Sequence, residues 1–137
     1  MEEHEKYLSE VTSIRFRRYM GGLTVIATTM KLIGVKGWNV SLIHLEKRLN
    51  LLAESKLSKD DVDELFKKAL KSKEFEIGKD DIKVIRLKKP GPVRLGTFNI
   101  LLKSGKEIKL YLDDSSLFYR VGELMQAFYP EAVELDN

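Results

Sequence analysis

The chain has 137 residues, of which 43% are hydrophobic and 33% charged, and its formal net charge is +3 at pH 7. It contains no cysteine, which excludes disulfides and thiolate metal sites and favours a reducing, cytoplasmic location. The start lacks the pattern of a signal peptide, and no run approaches the roughly 18 apolar residues that a membrane span needs. Length and composition therefore predict one soluble domain over residues 1–137 with a single core.

The first part of the chain predicts three strands between about residues 11 and 37. Residues 2–10 show no periodicity, and we assign them no role. From Val11 onward apolar residues alternate, so a first strand is expected with arginines on its outer face. Gly21-Gly22 permits the positive φ angles of a tight hairpin, and two more strands are then expected as far as Lys36.

The middle of the chain predicts two helices over residues 41–72. Leucines recur at helical spacing from Leu42 to Leu52, and a second apolar stripe begins at Val62. Ser58 has the position of a capping residue at the start of the second helix. No linker rich in glycine, proline or serine separates these helices from their neighbours, so we expect them to form an insertion within the domain.

Four more strands are predicted over residues 74–112. Turns at Pro90-Gly91 and Ser104-Gly105 separate the three longer ones, in which apolar residues alternate with polar residues. The period then changes to that of a helix, expected at 115–129 and closed by Pro130. The expected fold is α+β, with about seven antiparallel strands as a partly open barrel or two orthogonal sheets, capped by this helix.

The sequence shows no constellation of catalytic, metal-binding or cofactor-binding residues. His4 and His44 lack the spacing of metal ligands, and no serine stands in a Gly-x-Ser-x-Gly elbow. The paired acids Asp80-Asp81 and Asp113-Asp114 fit turns and a helix cap better than acid–base or Mg²⁺ chemistry. We therefore expect a protein that is not an enzyme and has no catalytic residue, metal or cofactor.

Three phrases of the sequence resemble the pleckstrin-homology-like (PH-like) superfold, in its GRAM and bacterial or archaeal PH-like branch. They are residues 22–36, with a Thr-containing turn followed by a basic residue and Leu-Ile; residues 81–84, ahead of a strand; and residues 100–112, whose Ser-Gly-Lys hairpin leads into the last helix. Ala27 and Met30 depart from the pattern, as does the 41–72 insertion. The resemblance implies a binding scaffold without catalysis, for protein or peptide partners or for anionic lipids.

The resemblance also implies where a lipid headgroup would bind. In lipid-binding members of the superfold, basic residues cluster in the first strand and the first hairpin. The residues at matching positions here are Arg15, Arg17, Arg18 and Lys31. Their chemistry fits, because guanidinium groups bind phosphate in a bidentate manner.

Three functions follow as alternatives, in order of preference. The first is binding of a protein or peptide partner through a sheet edge or the groove beside the last helix. The second is peripheral binding to an anionic membrane surface through the four basic residues. The third is weak nucleic-acid binding along residues 83–109, where eight basic residues stand against one acidic residue but only Phe98 and Tyr111 could stack on bases. The ligand and the oligomeric state do not follow from the sequence.

Overall fold

The computed structural model describes residues 5–16, 22–36, 67, 71 and 73–136. Within these ranges the chain forms eight strands and one complete α-helix. The bounds are β1 Tyr7–Ile14, β2 Leu23–Thr28, β3 Lys31–Lys36, β4 Lys73–Gly78, β5 Ile82–Lys88, β6 Gly96–Leu102, β7 Glu107–Leu112, α1 Ser115–Phe128 and β8 Val133–Asp136. Short 3₁₀ helices span Lys79–Asp81 and Pro130–Ala132. Apart from Lys67 and Lys71, the helical insertion predicted at 41–72 lies outside the described residues, as do His4 and His44.

The strands form two four-stranded sheets. Sheet A has the order β1-β2-β3-β4 and is antiparallel throughout. Sheet B has the order β7-β6-β5-β8, in which β5 and β8 are parallel and the other pairs antiparallel. In the described part of the chain one bridge joins the edges of the two sheets, where the backbone groups of Arg15 and Tyr111 exchange hydrogen bonds of 3.0 and 2.9 Å.

The α+β prediction, with mostly antiparallel strands and a helix that follows them, is confirmed. Among the described residues the strands number eight rather than seven, and the two sheets do not form a closed barrel. The sequence missed β8 because it has four residues, three of them exposed, so no apolar alternation marks it. It also placed the start of the first strand too late, since β1 begins at Tyr7.

The main core lies between the inner faces of the two sheets and α1. It is formed by the alternating apolar residues of the strands, as the period of two predicted. From sheet A come Val11, Ile14, Leu23, Val25, Ala27, Leu32 and Ile77, and from sheet B come Ile82, Ile85, Leu87, Phe98, Ile100, Leu110 and Leu112. The opposite faces of β2 and β3 are buried as well, since Ile26 and Ile33 are fully inaccessible to solvent.

Helix α1 begins where the cap was expected. The side chain of Asp114 accepts a hydrogen bond of 2.8 Å from the backbone N–H of Leu117, which satisfies one of the free N–H groups of the first turn. The predicted apolar stripe is buried and consists of Leu117, Val121, Leu124, Met125 and Phe128, with Phe118 beside it. The helix ends before Pro130, which cannot continue it. No helix among the described residues is long and apolar enough to cross a membrane.

Two turns depend on positive φ angles, as their glycines predicted. Gly22 has a φ of 90° before β2, and Gly105 has a φ of 95° between β6 and β7. A third positive φ, of 65°, occurs at Ser13, next to a shift in the pairing of β1 with β2. A non-glycine residue in this conformation marks a local irregularity of the strand, here a bulge near the end of β1.

Candidate binding groove

Arg15, the first of the predicted basic residues, lies at the corner where the sheets meet. Its guanidinium Nε donates a hydrogen bond to Asp113, and its side chain is 34% exposed. Since its backbone also pairs with Tyr111, the residue holds the edge of sheet A against the edge of sheet B. Arg17 and Arg18 lie outside the described residues.

Lys31, the last predicted basic residue, lies beyond the other end of β2. Its Nζ is 2.8 Å from Glu76 and 3.8 Å from the buried Glu5. The hydrogen bond from Lys31, together with one from Lys73, lowers the pKa of Glu76 below its usual value of 4.5. The ion pair between Lys31 and Glu76 thus joins β3 to β4.

The structure does not bring Arg15 and Lys31 together. Arg15 follows Ile14, which pairs with Leu23 at the start of β2, whereas Lys31 follows the turn at its end. At about 3.3 Å per strand residue, the length of β2 places them roughly 17 Å apart. Lipid binding through all four basic residues stays a prediction, and the two described ones do not form a single phosphate site.

The basic segment at 83–109 is arranged on sheet B. Phe98 is fully buried, so it cannot stack on a base, and Tyr111 is half-buried. Arg86 pairs with Glu134, and the Nζ of Lys89 donates a hydrogen bond of 3.1 Å to the hydroxyl of Tyr119. Cations without interleaved aromatic residues are a poor platform for single-stranded nucleic acid. Nucleic-acid binding stays a prediction, and these residues offer no surface on which bases could stack.

The outer edge of β1 is the feature that suggests a site. Among the described strands β1 pairs only with β2, and its other side meets β7 only at the Arg15 bridge. An edge strand offers backbone N–H and C=O groups to any extended segment that approaches it. Helix α1 packs on β1, so this edge runs beside the helix.

A groove of about 350 Å³ lies between β1 and α1. Its apolar surface comes from the buried Val11 and Leu124 together with Leu8, which is 36% exposed. The remaining residues that line it are Ser9, Glu10, Arg120, Glu123 and Ala127. A volume near the lower end of the range of about 300–1,000 Å³ for ligand sites suits one or two side chains of a peptide.

Two charged residues of α1 stand at the rim of this groove. Arg120 and Glu123 are exposed, and neither forms an ion pair or side-chain hydrogen bond with any residue in the described part of the chain. A positive and a negative group at one rim can orient a bound segment by its own charges. The sequence pointed to a sheet edge or the groove beside the last helix as a binding surface, but it named none of these lining residues as part of a site, and it assigned Leu124 to the core stripe of the helix.

The remaining described surface carries no metal site, because no group of three or more acidic or histidine side chains lies close together within these ranges. The groove is thus defined by shape, an open strand edge and two rim charges. No family model, curated protein or solved structure matches the chain. The geometry of the groove is therefore the basis for a functional assignment.

Proposed function

We propose that this protein is a non-catalytic, PH-like binding module that takes an extended segment of a protein partner into the groove between β1 and α1. The PH-like assignment is supported by the order of the elements. A four-stranded antiparallel sheet comes first, three antiparallel strands of a second sheet follow, and a helix then packs against the core. The observation that carries the function is the outer edge of β1, which no described strand covers, beside an apolar groove.

The partner segment would bind by strand addition. Its backbone would hydrogen-bond with β1, and every second side chain would then point toward the groove, because side chains alternate along a strand. An apolar side chain would contact Leu8, Val11 and Leu124. A charged neighbour would meet Arg120 or Glu123 at the rim, which would set the direction in which the segment lies.

The test uses a variant that fills the groove from its exposed wall. Ala127 is exposed on α1 and lines the groove, so Ala127→Trp would occupy much of the volume without disturbing the core. Gln126→Trp is the matched control, because Gln126 is exposed on the same helix and does not line the groove. Short random peptides displayed on phage would be selected against the immobilised wild-type protein, and single peptides would then be measured by fluorescence anisotropy.

The proposal predicts that selected peptides share an apolar residue, bind the Gln126→Trp variant as they bind the wild type, and lose most of their affinity for Ala127→Trp. In ¹H–¹⁵N spectra of the wild type, bound peptide should shift the amide signals of β1 and α1. Peptides that bind Ala127→Trp as well as the wild type, or that shift only signals of other strands, would refute the proposed site. A selection that enriches no peptide would also count against it.

A further inference from the structure

Strand β8 is attached to the fold in an unusual way. It pairs with β5 in parallel, from Ile85 opposite Val133 to Lys88 opposite Asp136, and this is the one parallel pairing among the described strands. Three of its four residues are exposed, and Leu135 is 51% exposed. In contrast, Ile85 and Leu87 of β5 are buried in the core, so β5 stays in place whether or not β8 is docked.

Two ion pairs accompany the backbone pairing of β8 with β5. Glu134 lies 3.1 Å from the Nε of Arg86, and Asp136 lies 4.0 Å from the Nζ of Lys88. The backbone carbonyl of Asp136 also accepts a hydrogen bond of 3.1 Å from the N–H of Lys89. The two acids on β8 therefore have the spacing of the two cations on β5, because both pairs are separated by one residue of a strand.

The two ion pairs add little to the stability of the docked β8. Both side chains of the Arg86–Glu134 pair are 61% exposed, and exposed ion pairs add little to stability because water and salt screen them. Short exposed segments with few apolar contacts open most easily in a folded protein. Opening of β8 would uncover the backbone edge of β5 beside uncompensated cations.

The neighbouring surface has room for a bound side chain and an unused acceptor. A cavity of about 380 Å³ lies along β5, β6 and β8, and Thr97 and Asn99 line it together with the two ion pairs. The Oδ1 atom of Asn99 is buried there without a hydrogen-bond donor. A buried carbonyl oxygen of this kind is normally paired, so a donor from a bound segment would find a partner at this point.

We infer that the edge of β5 is a second strand-binding site, which β8 occupies in cis and which accepts an acidic extended segment from a partner. The favoured segment alternates apolar and acidic residues, as Val133-Glu134-Leu135-Asp136 does, and lies parallel to β5. Charge complementarity selects this partner, because Arg86, Lys88 and Lys89 line one edge. This site is separate from the groove between β1 and α1, so it can hold or fail independently of the proposed function.

The test measures binding of the chain's own strand in trans. A labelled peptide with the sequence of residues 130–137 would be titrated by fluorescence anisotropy into the full-length wild type and the full-length Glu134→Lys/Asp136→Lys variant. Both substituted residues are exposed, so the variant should fold. Lysines at these positions would repel Arg86 and Lys88, which undocks β8 and removes the tethered competitor.

The variant should bind the peptide at least about tenfold more tightly than the wild type, and added salt should weaken this binding. In a control peptide each apolar residue of the strand trades places with the acid that follows it. The acids then lie on the face opposite to Arg86 and Lys88, so this peptide should not bind. The control variant Asp80→Lys/Glu107→Lys makes the same change in net charge at two exposed residues away from β8. It should bind the peptide no better than the wild type.

The inference would be overturned if the Asp80→Lys/Glu107→Lys variant bound the peptide as tightly as the Glu134→Lys/Asp136→Lys variant does. Equal binding of the control peptide and the strand peptide would also overturn it, because general charge attraction would then explain the binding. Hydrogen exchange on the wild type is a second test, in which the amides of β8 should exchange much faster than those of β6. Equal protection of the two strands would show that β8 does not open, which would contradict the inference.

The oligomeric state is a third test. If the wild type formed dimers that the Glu134→Lys/Asp136→Lys variant did not form, the inference would be overturned, because β8 would then be exchanged between two copies of the chain.

Discussion

The hydroxyl group of Thr28 should be the most important single polar group of sheet A. Thr28 is fully buried at the end of β2, and its Oγ1 accepts hydrogen bonds of 3.1 Å from the backbone N–H groups of Met30 and Lys31. The same hydroxyl donates to the carboxylate of Glu5, whose side chain is 1% exposed. Replacement of Thr28 by valine keeps the shape and removes all three hydrogen bonds.

The size of the effect follows from these three contacts. A hydrogen bond to a charged group contributes about 1.5–3 kcal/mol, and each bond from a backbone N–H contributes about 1 kcal/mol when water can partly replace it. We expect Thr28→Val to lower the free energy of unfolding by roughly 4 kcal/mol, a large share of the usual 5–15 kcal/mol of a domain. For a chain of this size the melting temperature should fall by about 10–15 °C.

This change is measured by urea unfolding that is monitored by circular dichroism. An m-value equal to that of the wild type would indicate that unfolding stays two-state. Thr97→Val is the matched control, because Thr97 lies on strand β6 with no side-chain hydrogen bond to the described residues, and it should change stability by less than about 0.5 kcal/mol. Thr28→Ser keeps the hydroxyl and should lose much less than Thr28→Val. If Thr28→Val costs no more than Thr97→Val, the assigned role of the hydroxyl is wrong.

Three further changes test other parts of the fold. A Cβ atom at Gly34 would overlap the ring of Phe75, so Gly34→Ala should cost about 1–3 kcal/mol, and the loss should shrink when it is measured in a Phe75→Leu background. Hydrogen bonds from Lys31 and Lys73 lower the pKa of Glu76 in the folded protein below the value of about 4.5 in the unfolded chain. The ion pairs of Glu76 therefore stabilise the protein fully above about pH 4.5, and this stabilisation is lost as the pH falls through the pKa of Glu76 in the folded protein. Glu76→Gln should therefore cost about 1 kcal/mol at pH 7 and much less near pH 3, and an equal loss at both pH values would contradict this. Arg15→Ala should cost only about 0.5–1 kcal/mol, because the pair with Asp113 is partly exposed and the backbone bridge remains; a double-mutant cycle with Asp113→Ala would measure the coupling.

The sequence predicted those parts of the fold that have a regular period. Phe98 and Ile100 on β6 alternate with polar residues and are buried, and the helical stripe that starts at Leu117 is buried in α1. The cap of α1 was also predictable, because an aspartate before a helix has a definite role for its side chain. Glycine positions marked two turns correctly for the same reason.

The sequence predicted the general place of the site, at a sheet edge or the groove beside the last helix, but it did not predict which residues line the groove. The groove joins residues of β1 to residues of α1 that are more than a hundred positions later in the chain, and the sequence does not show which strand packs against this face of the helix. The predicted lipid site stays a prediction, and the two described basic residues lie apart. Arg15 and Lys31 flank β2 in the sequence, but Arg15 forms an ion pair at one end of sheet A and Lys31 at the other. Charge alone does not tell a ligand-binding cation from one that joins two elements.

The bulges of β1 limit how much backbone pairing at this edge can contribute to the binding of an added strand. The pairing of β1 with β2 is regular only over Ser9, Glu10 and Val11, because register shifts occur on both sides. A strand added to such a short straight stretch gains about two to four backbone hydrogen bonds, or about 2–4 kcal/mol, which corresponds to millimolar affinity at best. The same irregularity disfavours the stacking of many copies of β1 edge to edge. Recognition must therefore come from side chains in the groove, and the complexes should form and separate quickly.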